Sequence, residues 1–168
     1  MDTVNPSTRD LCLKAVRGNP QAYAFLELIT GIFHLWDDLH DKDKPRTDKE
    51  IDRVFWDALI DLPRNQFYMA NFYALNNAMI VAIQNWHAAN EMEETESDYD
   101  KEIAFILRSS YSDLVTLCAV IVGGYEWGRQ ITSEIHRYWH NEGLAGYKAN
   151  LDLEKKARLA ENGMRSMR

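Results

Sequence analysis

The chain has 168 residues, 46% of them hydrophobic and 27% charged, with a net charge of −7. That balance fits one soluble domain able to bury a sizeable core, and it excludes a disordered or fibrous chain. Cys12 and Cys118 sit far apart in apolar runs without CxxC spacing, which excludes a disulfide framework or a zinc site and points to a reducing compartment.

The segments read as helices from one end to the other. Asn5-Pro6 and Asn19-Pro20 each look like an N-cap followed by proline at the first helical position, opening helices over about 6–18 and 20–41. Thr47 with Glu50 three residues on forms a capping box and starts a helix over about 48–61, which Pro63 is expected to stop. No Asp, Glu, Lys or Arg occurs from Asn65 to Asn90. Five Asn between Asn71 and Asn90, with Gln84 and His87, carry too many polar groups for a hydrocarbon span, so no membrane partner is expected. A helix over about 64–93, buried on most sides, fits better.

The acid-rich run from Glu91 to Glu102 reads as a solvated turn. Helices over about 99–122, ending at Gly123-Gly124, then 125–140 and 147–162 complete the chain, with fraying expected beyond Gly163. No segment alternates with period two. The expected fold is therefore an all-α, single-domain bundle of six to seven helices spanning 1–168, with the uncharged helix at its centre.

Chemistry concentrates in Asp37-Asp38-Leu39-His40-Asp41, with His34 one turn upstream. Residues three, four and seven apart share a helix face, so His34, Asp37, Asp38 and Asp41 are expected to project together. No Lys or Arg occurs between Arg17 and Lys42 to balance them. Clustered, unbalanced carboxylates suit a hard divalent ion, Mg2+ or Mn2+. The bland reading, a solvated amphipathic face, usually interleaves opposite charges, and this stripe has none.

Three further polar stripes interrupt apolar helices: Arg108, Ser109, Ser112, Asp113 and Thr116; Glu126, Gln130, Ser133, Arg137 and His140; and Tyr73, Asn77, Gln84, His87 and Glu91. Each alone is more simply structural. Together they are expected to converge on a polar cavity, with Arg108 and Arg137 facing the aspartates as phosphate clamps. His34, His87 and Asp113 are the candidate general bases. For Arg108, the bland partner is Asp113 or another core acid.

The Asp37-Asp38-x-x-Asp41 run resembles the aspartate-rich motif of all-helical isoprenoid diphosphate synthases and terpene cyclases, which implies Mg2+ held against a diphosphate leaving group. An Asn…Ser/Thr…Glu motif of some cyclases is matched at Asn85 and Glu93, with Ala89 in place of the hydroxyl residue. Arg137-Tyr138 matches a late Arg-Tyr pair. The chain is about half the length of those enzymes and lacks a second aspartate motif, so the resemblance implies chemistry rather than kinship.

The runs His34-Leu35-Trp36-Asp37-Asp38-Leu39-His40-Asp41-Lys42-Asp43-Lys44-Pro45 and Ile106-Leu107-Arg108-Ser109-Ser110-Tyr111-Ser112-Asp113 are similar to helical proteins of tailed phages. Some of these attach an amino acid or amine to a thymine methyl activated as its diphosphate. That resemblance implies a metal-dependent transferase or lyase in the host cytoplasm, with phage DNA as a partner.

Charge distribution bears on DNA. Lys155, Lys156, Arg158, Arg165 and Arg168 against Glu161 give residues 155–168 a charge of +4, leaving −11 for residues 1–154. A basic tail is able to steer DNA to an acidic mouth, although a solubilising end explains it equally well. The alternative function class is a non-enzymatic phage interaction or inhibitor protein with an acidic surface and aromatic anchors. The absence of a basic-then-apolar start in MDTVNPSTRD fits a cytoplasmic location.

Overall fold

The computed structural model describes residues 7–42 and 44–165. Ser7 caps α1 (Thr8–Ala15) by accepting from the Asp10 amide; Asn5 and Pro6, expected to open this helix, lie outside the described residues. Asn19 caps α2 (Pro20–Asp41) through two amides, as its Asn-Pro signature implies. Lys42 closes α2 in the left-handed region. Thr47 and Glu50 complete the capping box of α3 (Asp48–Trp56).

Pro63 does not stop this segment. The backbone widens into one π-helical stretch over Asp57–Asp61, where the Leu62 amide reaches back to the Asp57 carbonyl, and α4 (Leu62–Arg64) absorbs the proline. Shifting the bonding by one residue leaves room for a ring that lacks an N–H. The break falls at Asn65, extended at ψ 119°, whose side chain caps α5 (Gln66–Ala70).

The uncharged segment forms α6 (Phe72–Glu93), followed by α7 (Asp98–Leu107), α8 (Tyr111–Trp139) and α9 (Gly143–Arg165). The expected helix over 99–122 is thus two helices. The double serine divides it: Ser110 donates to the Leu107 carbonyl at 2.6 Å and Ser112 to the Ser109 carbonyl at 2.7 Å. Hydroxyls that satisfy local carbonyls compete with the helical ladder. The glycine break appears as a kink at Gly124 (φ 80°, ψ 178°) inside α8.

No strand occurs among the described residues, and the fold is an all-α bundle. Its main core joins Leu11 of α1 and Val16 at its C-terminal cap, Phe25 and Ile29 of α2, Leu75 of α6, and Leu114, Val115, Cys118, Ile131 and Ile135 of α8. Each fully buried side chain of this size contributes about 1.5–3 kcal/mol of hydrophobic stabilisation. A satellite cluster of Ala89, Ala104 and Tyr147 knits α6, α7 and α9 together.

Among the described residues α8 supplies more of the buried core than any other helix. By contrast, α6 buries Leu75, Met79, Ala82 and Ala89 on one side and leaves Tyr73, Ile80 and Val81 exposed on the other. The expectation that it is covered on most sides is met on one side only. Helix α9 continues through Gly163, the point of expected fraying, to Arg165.

Within Asp98–Ala157 one stretch is long and apolar enough by composition to cross a membrane, and a third of it is buried. The turn at Arg108–Ser110 lies within Asp98–Ala157, and Leu114, Val115, Cys118 and Ala119 close the core of the bundle. A soluble protein fits this use of apolar residues.

Candidate functional site

A cavity of about 290 Å³ opens where α2, α6 and the α7–α8 turn meet. Its walls are aromatic: Phe33 and Trp36 from α2, Trp86 from α6, Tyr111 and Trp139 from α8. His34, Asp37, Arg108, Ser109 and Ser110 supply polar groups. An apolar pocket with a few converging polar groups is the usual form of a small-ligand site.

Arg108 organises the charged edge. It caps α7 rather than lying mid-helix, because the serine turn ends the helix there. Its Nη1 donates to both carboxylate oxygens of Glu93 at 2.6 Å. Its Nη2 lies 3.9 Å from Asp37 Oδ1 and 4.0 Å from Asp41 Oδ2. Trp86 Nε1 donates to Asp37 Oδ1 at 2.9 Å, and the Tyr147 hydroxyl donates to Glu93.

Burial works against the Arg108 charge, but the nearby carboxylates of Glu93 and Asp37 outweigh it and hold the guanidinium firmly protonated. The Tyr147 phenol is pushed well up by burial and by its bond to Glu93, so it remains a donor. Three carboxylates surround one guanidinium, which leaves two negative charges beside the cavity. That excess favours a cation.

Two of the three motif aspartates converge here and one does not. Asp38 is 5% exposed and turns toward the α2–α3 connection, where Arg46 Nε donates to it at 2.8 Å and Lys44 lies 3.6 Å away. Arg46 holds its carboxyl below the usual range. Adjacent residues on a helix diverge by about 100°, so Asp37 and Asp38 answer to different neighbours. The missing balance of charge comes from outside α2, through Lys44, Arg46 and Arg108. Among the described residues no three His, Cys, Asp or Glu groups converge as metal ligands.

The other expected residues scatter. His34 lines the cavity. Asn85 braces the wall by donating to Ser110 at 2.9 Å. His87 packs against Trp86 and Trp36 with ring centroids 4.8 and 6.2 Å apart, and it is not a lining residue. Asp113 is exposed and faces His136 at 3.6 Å, so the acid that pairs with Arg108 is Glu93. Tyr138 shares a hydrogen bond with Thr8 at 2.6 Å and ties α8 to α1.

Arg137 does not face the aspartates. It is exposed, does not line the cavity and makes no ion pair among the described residues. The Glu126–Arg137 stripe is the outward face of α8, because Ile131 and Ile135 take the inward one. On α6 the stripe from Tyr73 to Glu91 is likewise outward. The inward polar set is Trp86, Asn90 and Glu93 at i, i+4 and i+7, a spacing that suffices to find them. The basic tail beyond Ala157 lies outside the residues whose side chains are described; Lys155 pairs with Glu96.

Compared with protein-family models, curated proteins and solved structures, the chain matches none.

Proposed function

We propose that this bundle binds a phosphorylated small molecule together with a divalent cation and displaces or ionises its phosphate or diphosphate. The observation that carries this reading is Arg108, shared at 3.9 and 4.0 Å by Asp37 and Asp41 at the edge of an aromatic cavity. Mg2+ commonly takes one or two protein carboxylates and completes its shell with water and substrate phosphate. Asp37 and Asp41 fit that demand, and Asp38 does not. An ion of this kind, Mg2+ or Mn2+, would neutralise charge on a departing phosphate.

Arg108 stays positioned by Glu93 and supplies the guanidinium at the edge, so the clamp is single rather than double. The aromatic walls take the organic part of the substrate. His34, on the lining, is the general base within reach of that space. An activated base in phage DNA with an incoming amine or amino acid is one substrate pair of this chemistry.

The test is thermal unfolding with Mg2+ and inorganic pyrophosphate. Both together should raise the midpoint of the wild-type chain, and Asp41→Asn should abolish the rise. A rise that persists unchanged in Asp41→Asn would remove this reading. The competing reading, a non-enzymatic interaction protein, draws on Phe55, Trp56 and Leu59, each more than half exposed on α3 and its π-helical extension. It predicts no cooperative response to the two additives.

A further inference from the structure

We infer that the uncharged face of α6 is the contact surface of a symmetric homodimer, with two copies of α6 packed antiparallel about Ile80. The face is exposed along its length: Tyr73 is 83%, Ile80 52% and Val81 58% exposed, and Asn77 and Gln84 flank them on the same side. No charged residue occurs between Asn65 and Asn90. A helix face that meets only water normally carries charge, and this one has none.

Charge selects the occupant. Each copy carries −7, so two copies repel one another over most of their surface. The uncharged face is where that repulsion is least, and it offers a basic partner nothing to pair with. Its order is also close to a palindrome. Around Ile80, Asn77 and Gln84 lie three and four residues away, and Tyr73 and His87 seven residues away on either side.

In an antiparallel pair, Ile80 meets Ile80 on the two-fold axis. Asn77 then faces Gln84 of the other copy, and Tyr73 faces the ring of His87. A carboxamide both donates and accepts, so each amide pair closes in both directions. A two-fold contact requires this self-complementarity, in which one patch serves both sides.

Size is sufficient. Exposed side chains of this kind each leave on the order of 100 Å² uncovered. With Phe72, whose ring packs against Tyr73, extending the face, roughly 600 Å² per copy is available, or about 1,200 Å² in total. That is the lower end of stable interfaces.

The test is the mass of the full-length chain by light scattering at tens of micromolar, expected at about twice 19.5 kDa. Ile80→Arg should weaken association at least about a hundredfold while leaving the circular dichroism spectrum unchanged, since the side chain is exposed. Ile80→Cys should cross-link to a covalent dimer on mild oxidation, because Cys12 and Cys118 are buried and cannot substitute. Tyr99→Cys, on an exposed site of α7, should not. A monomer at every concentration overturns the inference. So does a dimer that survives Ile80→Arg and fails to cross-link through Ile80→Cys, which would place the interface elsewhere.

Discussion

Arg108 is anchored by Glu93, with Nη1 2.6 Å from each oxygen of a carboxylate that is itself largely enclosed. Arg108 closes α7 and Glu93 ends α6, and the two meet above the satellite core that joins α6, α7 and α9. The pair fixes both the position of the guanidinium and the closure of the α7–α8 turn over the cavity.

That dual role separates two variants. Arg108→Lys keeps the charge but loses the fork geometry, so phosphate binding should fall about tenfold or more with a smaller loss of stability. Glu93→Gln leaves Arg108 without its anchor and should cost about 2 kcal/mol or more of stability. Urea unfolding of both, beside pyrophosphate binding in the presence of Mg2+, checks the split. Equal losses of stability in the two variants, with binding unaffected, would make the pair purely structural.

The three aspartates should respond differently. Asp38→Asn leaves Arg46 without its buried partner and should destabilise the fold, by less than a fully buried pair would because Arg46 remains partly exposed. Asp37→Asn and Asp41→Asn remove like charge from α2 and should leave the fold intact. Arg46 lowers the folded-state carboxyl of Asp38, so its contribution is complete above the unfolded value near 4 and is lost as pH falls through the lower folded value. Comparing urea midpoints at pH 7 and pH 3 should show a smaller acid loss in Asp38→Asn than in the wild-type chain.

The kink in α8 depends on small residues. A Cβ at Gly128 would lie 2.4 Å from Val120 Cγ2, and valine has little rotamer freedom in a helix to move aside. Gly128→Ala should therefore cost about 1–3 kcal/mol. At Gly124 there is open space, but φ of +80° strains any other residue, so Gly124→Ala should cost about 1–2 kcal/mol. Thermal midpoints measure both. An unchanged midpoint for Gly128→Ala would mean that α8 straightens at no cost.

Local rules make the helices legible. Asn19-Pro20 and the Thr47–Glu50 box cap α2 and α3 as their spacing implies. The all-α class follows from periodicity, and spacing picks out the run Asp37, Asp38 and Asp41, of which the fold brings Asp37 and Asp41 to Arg108. Inward faces are what spacing does not assign. Uncharged α6 invites burial, yet a face without charge also suits a contact with another protein surface, and periodicity does not distinguish the two. Spacing groups Asp38 with its neighbours because Arg46, five residues beyond α2, is invisible within a single helix. Glu93 reads as part of an exposed acidic run, although it shares the inward face of Trp86 and Asn90. The Arg108–Ser110 break rests on serine hydroxyls that compete with backbone bonds, which a count of apolar residues does not register.

The proposed function stands or falls with Asp37, Asp41 and Arg108 acting as one metal-and-phosphate site from which Asp38 is excluded. Calorimetric titration of pyrophosphate into the chain at saturating Mg2+ probes that site without intermediaries. Saturable binding should appear, require Mg2+, weaken at least about tenfold in Asp37→Asn, Asp41→Asn or Arg108→Lys, and remain unchanged in Asp113→Asn. Binding that needs no Mg2+, or that survives Asp37→Asn and Asp41→Asn at full strength, would contradict it.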